Sequence, residues 1–176
     1  MNDADRLFRA YHGPLVRYLT RRLGDRDWAE EVAQETFVRA LRQPALTNER
    51  AWLFAVATNL VRDEARRDIR RRRRLTLLAA EAREMEQVEP ESPLERAQER
   101  AQEMALARRA VDALAERDRL ALLMREEGLN YEEIAEALGL SLGSIGTTLA
   151  RARKRLVSAY EALQAGATGA RGAHGA

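Results

Sequence analysis

Residues 128–156 read GLNYEEIAEALGLSLGSIGTTLARARKRL, and the fold is decided by this stretch. Asn130 followed by Glu133 is a capping box that opens a short helix with Ile134, Ala135 and Leu138 on its inward side. Gly139 supplies the turn, because a left-handed backbone costs least at a residue without a Cβ. Ser141 caps a second helix that turns Ile145, Leu149, Ala152, Leu156 and Leu163 inward. Ala135 is small enough for the two helices to cross closely, and Ile145 fills the space between them. Alanine, glycine and isoleucine together at these positions have the spacing of a helix-turn-helix unit.

Ser144, Thr147, Arg151, Lys154, Arg155 and Ser158 lie opposite the apolar stripe of the second helix. Short hydroxyls in the first turns and cations further along suit a major groove, with base edges met first and phosphates held behind them. A charge run alone is more often a solvated helix face. The turn motif beneath this one reverses those odds.

Around this unit the composition is that of an all-α protein. Ala, Leu, Arg and Glu dominate, β-branched runs are absent, and four prolines (14, 44, 90, 93) punctuate few places. The 176 residues suffice for one or two small domains. With no cysteine, neither a disulfide scaffold nor a cysteine-containing zinc finger is available. The two histidines, His12 and His174, are too far apart to suggest a metal site, and no metal or cofactor is expected. No apolar run is long enough to span a membrane, and the first residues lack a signal-peptide pattern, so a cytoplasmic protein without membrane insertion is expected.

The net charge of +2 conceals an uneven distribution. Residues 1–75 carry 17 basic and 11 acidic side chains, a net of +6, whereas residues 76–100 carry 3 and 7, a net of −4. Lys154 is the single lysine among thirty basic residues. Arginine forks suit phosphates and base edges, although a GC-rich genome gives the same bias.

Helical spacing over residues 5–22 sets Leu7, Tyr11, Leu15, Tyr18, Leu19 and Leu23 inward, and Gly24-Asp25 ends the segment. Asp27 with Glu30 predicts a capping box for a second helix with apolar Trp28, Val32, Phe37, Ala40 and Leu41, closed by Pro44. Thr47 or Asn48 caps a third helix over about 49–74, buried through Leu53, Val56, Ala57, Leu60 and Val61. On that helix Trp52, Asn59, Asp63, Arg66 and Arg70 fall within about 60° of arc, roughly 100° from the buried centre. Arg70 to Arg74 follow near its negative end. Residues 76–97, with Pro90 and Pro93, predict an acidic linker, and 164–176 a disordered tail.

Both halves together resemble a bacterial RNA polymerase sigma factor of the extracytoplasmic-function (ECF) type, which contains only regions two and four. Asp27 to Ala40 is similar to the family's polymerase-binding stretch, Trp52 to Arg67 to its minus-ten recognition and melting helix, and Gly128 to Leu156 to its minus-thirty-five reader. The resemblance covers about 5–75 and 100–163. It implies a region-two-like domain at 1–75 and a region-four-like helix-turn-helix domain at 98–163. It further implies that Glu31, Gln34, Glu35 and Arg39 meet the β′ clamp helices of core RNA polymerase, with region four on the β flap, in charge-assisted, salt-sensitive contacts. Trp52, Asn59, Arg62, Asp63, Arg66, Arg67 and Arg70 would face the minus-ten DNA, and Ser144, Thr147, Thr148, Arg151, Lys154 and Arg155 the minus-thirty-five DNA.

Strand opening then has to come from binding energy, since no nucleotide-hydrolysis motif is present. Unstacking a base costs a few kcal/mol, offset by its capture in a pocket, and in this family the preceding loop, Gln43 to Glu49 here, contributes one. Trp52 is a wedge, a stacking platform or core. Many relatives carry cations where this chain has Gly146 and Thr148, so weaker phosphate anchoring or a different base preference is expected at the minus-thirty-five site. Glu81, Glu84, Glu86, Glu89, Glu91 and Glu95 either imitate nucleic acid inside the polymerase channel or serve as a solubilising tether.

The resemblance also implies an anti-sigma factor as partner, and halves that pack together when polymerase is absent. The alternative is a helix-turn-helix transcriptional regulator that does not bind core polymerase, which leaves the patterns at 31–35 and 52–67 as coincidence. An enzyme is not expected: the chain has no Glu-x-x-His pair, no nucleophile beside a base and no phosphate-cradling glycine loop.

Overall fold

Alanine- and leucine-rich runs, separated by Asp, Asn and Gly at the turns, fold here into helices. The computed structural model describes residues 3–43, 45–76 and 95–172, with side chains at 5–43, 45–66 and 101–166. Within those residues the helices are α1 (Asp3–Leu23), α2 (Arg26–Ala40), α3 (Glu49–Thr76), α4 (Glu95–Asp112), α5 (Glu116–Glu126), α6 (Tyr131–Leu138) and α7 (Leu142–Gly172). The all-α expectation is met.

The first three helices form a bundle around Leu15, Tyr18, Leu19, Ala33, Leu53, Phe54 and Ala57, all fully buried. Tyr18 lies at its centre. Its hydroxyl is 2.7 Å from Thr58 Oγ1, which in turn donates to the Phe54 carbonyl, so the polar tip is satisfied inside an apolar core. Asn48 opens α3 by accepting from the Ala51 amide. At α2, Asp25 is the cap in place of Asp27: its side chain accepts from the Trp28 amide at 3.0 Å. Gly24 ends α1 at φ +77°, and the next residue is the first to adopt the extended backbone that a cap requires. Asp27 therefore falls within the first turn. Leu41, expected on the buried side of α2, is 59% exposed just beyond the helix end.

Helices α4 to α7 form the second cluster, around Leu120, Met124, Leu129, Ile134, Ile145 and Leu149. The Asn130–Glu133 capping box is complete, and Gly139 takes the left-handed conformation at φ 64°, ψ 37°. A Cβ there would meet nothing within 4 Å, so the turn needs glycine for its backbone angle rather than for space. Helix α7 continues to Gly172, through much of the segment at 164–176 where disorder is expected. Alanine is frequent there, and it sustains a helix without packing. The linker expected at 76–97 lies largely outside the described residues.

The two clusters touch. Helix α1 packs on α5 and α3 on α6, and their buried side chains join in one continuous core.

Candidate nucleic-acid interface

On α2 the buried residues Ala29, Val32, Ala33, Thr36, Phe37 and Ala40 leave Glu31, Gln34, Glu35 and Arg39 exposed on the outer face. Arg39 Nε donates to Glu35 Oε1 at 2.8 Å, one turn apart on the helix. A pair this exposed contributes little to stability, and both members are accessible to a partner. Val38 and Leu41, 43% and 59% exposed, add an apolar fringe that the residue pattern alone did not single out. The Trp28 indole N–H donates to Glu64 of α3 at 2.9 Å and ties the two helices together.

The stripe on α3 divides. Asn59, Asp63 and Arg66 are exposed, whereas Trp52 is half-buried against the core. Arg62 is half-buried too, its Nε 3.1 Å from Glu116 of α5. The side chains of Arg67 and Arg70 lie outside the described residues. Just before α3, Asn48 donates to Glu136 of α6 at 2.9 Å, and Glu49, the first residue of α3, accepts both ends of the Arg6 guanidinium. The Arg6 hydrogen bond holds the Glu49 carboxyl below its usual range against the opposing effect of burial.

On α7, Thr147 and Lys154 are exposed and Ser144 is half-buried. The Thr147 hydroxyl donates to the Ser144 carbonyl and that of Ser144 to the Ser141 carbonyl, so the first turns carry hydroxyls held close to the backbone. Thr148 is a correction. It is only 3% exposed and points into the core, because one helical step from Thr147 turns it about 100° toward the Ile145 side. A notional Cβ on half-buried Gly146 would stand 3.8 Å from the Tyr131 ring. Arg151 and Arg155 are braced from below: both bind Asp118 of α5, Arg151 through Nε and Nη2 at 3.0 and 2.5 Å, Arg155 at 3.2 Å. The hydrogen bond from Arg151 leads in lowering the Asp118 pKa, with the charges of Arg151 and Arg155 adding to it and burial opposing.

The contacts between the halves were not legible in the sequence. Glu127, its side chain 3% exposed, receives Arg17 and Arg21 of α1. Arg50 donates to the carbonyls of Glu127 and Gly128. Glu116 receives Arg22 and Arg62. Burial would raise the Glu116 pKa, but the hydrogen bond and charge of Arg62, with Arg22 and Arg119, bring it below the ordinary value. These partners are too far apart in sequence for any local pattern to pair them.

Among the described residues no His, Asp and Glu cluster suits a metal ion, and no helix is long and apolar enough to cross a membrane.

Comparison with known proteins accounts for both halves. Residues 7–74 match the family model described as Sigma-70 region 2, and residues 104–156 that of Sigma-70, region 4. The RNA polymerase sigma factor YlaC of Bacillus subtilis (strain 168) is 33% identical over 155 residues, covering 85% of this chain and 87% of that protein. The ferric citrate uptake sigma factor FecI of Escherichia coli (strain K12) is 31% identical over 150 residues, 83% and 84% of the two chains. In fold the chain is similar to the sigma factor RpoE of Bartonella quintana, solved in complex with the anti-sigma factor NepR. The TM-score is 0.67 at 21% identity, over 92% of this chain and 98% of that one. The ECF RNA polymerase sigma factor SigE of Mycolicibacterium smegmatis is 32% identical over 163 residues, 89% of this chain and 61% of that protein. A region-two match in the N-terminal half favours the sigma-factor reading over a regulator built on the helix-turn-helix alone: the chain belongs to the sigma-70 family of RNA polymerase sigma factors, in the extracytoplasmic-function branch to which its similar relative SigE is assigned by name.

Proposed function

We propose that this chain binds core RNA polymerase, directs it to promoters and helps melt the DNA there, without itself catalysing a reaction. The observation that carries this reading is the order of region two and region four on one chain, with the acid-and-amide face of α2 turned to solvent. In this reading residues 1–75 and 98–163 are separate working modules joined by the acidic 76–97 segment, and the protein acts in the cytoplasm, where an anti-sigma factor holds it in reserve.

Glu31, Gln34, Glu35 and Arg39 contact the β′ clamp helices, and the region-four half meets the β flap. Asn59, Asp63 and Arg66, continued by Arg67 and Arg70, meet the minus-ten element. Trp52 stiffens the base of that helix from its half-buried position. Ser144, Thr147 and Lys154 enter the groove at the minus-thirty-five element, while Arg151 and Arg155, oriented by Asp118, reach phosphates at its edge. The melted strand is retained by binding energy alone.

The test is reconstitution. Purified chain mixed with core polymerase should co-elute on gel filtration and yield discrete run-off transcripts from genomic fragments. Charge reversal at Glu35, an exposed position, should weaken co-elution at least tenfold while leaving the helical content unchanged. A chain that binds promoter fragments but neither co-elutes nor supports transcription would disprove the reading.

A further inference from the structure

Arg17, Arg21 and Arg22 on α1 have no part in the contacts described so far for promoter DNA, yet each meets a carboxylate from the other half of the chain. Glu127 Oε2 takes Arg17 at 2.9 Å and its Oε1 takes Arg21 at 3.0 Å. Glu116 Oε1 takes Arg22 of α1 at 3.2 Å and Arg62 of α3 at 3.1 Å. One carboxylate oxygen thus joins the arginine row of α1 to the DNA-facing helix α3. Arg66 and Arg119 line the same cavity of about 430 Å³ around Glu116. A single negative charge that offers its oxygens to two guanidinium groups has the acceptor chemistry of a backbone phosphate diester.

The closed arrangement is incompatible with promoter engagement. The minus-ten and minus-thirty-five elements are by definition some 25 base pairs apart, about 85 Å at roughly 3.4 Å per pair. Here α3 touches α6, with Asn48 and Glu136 2.9 Å apart. When the halves part, Glu116 and Glu127 leave with α5, and the α1 row loses its counter-charges beside α3.

Building on the sigma-factor reading, we infer that Arg17, Arg21 and Arg22 extend the cationic surface of α3 into a track for promoter backbone phosphates, which Glu116 and Glu127 occupy in the free chain. Closed chain and DNA compete for the same guanidinium groups.

The full-length chain tests this directly. It has no cysteine, so Arg9→Cys with Ala162→Cys, both at exposed positions, accepts a dye pair that reports separation of the halves. Affinity is read as the anisotropy of a fluorescein-labelled forked DNA of arbitrary sequence, across a salt series. Glu116→Gln with Glu127→Gln should lower energy transfer, raise affinity about tenfold at low salt, and steepen the salt dependence by about two phosphates, each worth roughly 0.7–0.9 in slope. Adding Arg17→Gln and Arg21→Gln to that open variant should return about two phosphates of slope and leave co-elution with core polymerase intact. Should Glu127→Gln fail to fold, Glu116→Gln alone, at a half-exposed side chain, carries the test with about half the effect.

Unchanged energy transfer in the glutamine variant overturns the latch. An opened chain whose salt slope ignores the arginine changes overturns the track. Loss of polymerase co-elution without a change on DNA assigns the row to an acidic protein surface, which also overturns it. Failure of the unaltered chain to co-elute with core polymerase is a different result, and it strikes the sigma-factor reading itself.

Discussion

Asp118 is a buried carboxylate that faces two arginines of α7, and its ionisation is written into the stability of the C-terminal half. Its pKa is held below the ordinary aspartate value by the Arg151 hydrogen bond first, against burial, and then by the arginine charges. A carboxylate whose folded-state pKa is depressed contributes fully above its unfolded pKa, and the contribution disappears as the pH falls through the folded one. The stability gap between the unaltered chain and Asp118→Asn should therefore stay constant from pH 7 to about 5 and shrink below about pH 4. Urea melts at several pH values measure it; a gap that widens in acid contradicts the assignment. The capping box of Asn130 and Glu133 could be read in advance because its two hydrogen bonds close within four residues. The pairing of Asp118 with Arg151 spans 33 positions, and no local periodicity encodes it.

Helices were legible where one face is apolar and both ends carry a signal. The helix-turn-helix came through in its turn and its central packing, with Ile145 and Leu149 fully buried and Gly139 left-handed as expected, while Leu138, Leu156 and Leu163 are only half-buried. Errors arose where two residues competed for one role. Asp25 and Asp27 both qualify as the α2 cap, and the decision rests on which follows Gly24 directly. Thr147 and Thr148 are chemically identical, yet one is exposed and the other 3% exposed. Their difference is testable at the level of α7. Thr147→Arg should change stability by less than about 0.5 kcal/mol, as surface substitutions do. Thr148→Arg should cost about 3 kcal/mol or more, because it drives an unpaired cation into the core. Equal urea midpoints for the two variants would remove the distinction. The same geometry leaves the expected weakness at the minus-thirty-five site resting on Gly146 alone, since the buried Thr148 does not occupy a surface from which a cation would reach DNA.

At the scale of the whole molecule the halves are folded units that share a core and several arginine–carboxylate contacts. Calorimetry at low salt should give one cooperative transition for the full chain. Arg17→Gln with Arg21→Gln strands Glu127 without its counter-charges, and should split off a second transition about 5 °C lower, the shift expected for roughly 1 kcal/mol in a domain of this size. A single transition at the original temperature would show that the halves are coupled through apolar contact alone. That the halves pack together is what the family resemblance implied; which charges pair across them was not legible, because each partner looks like an ordinary solvated charge until the fold brings it to the other half. A last consequence concerns Lys154, exposed on α7 and the single lysine of the sequence. An endoprotease that cuts only after lysine has one address among these 176 residues, midway along α7, the helix proposed to enter the groove. Digestion yields either an intact chain or two fragments, so a gel records occupancy of that groove without any probe attached.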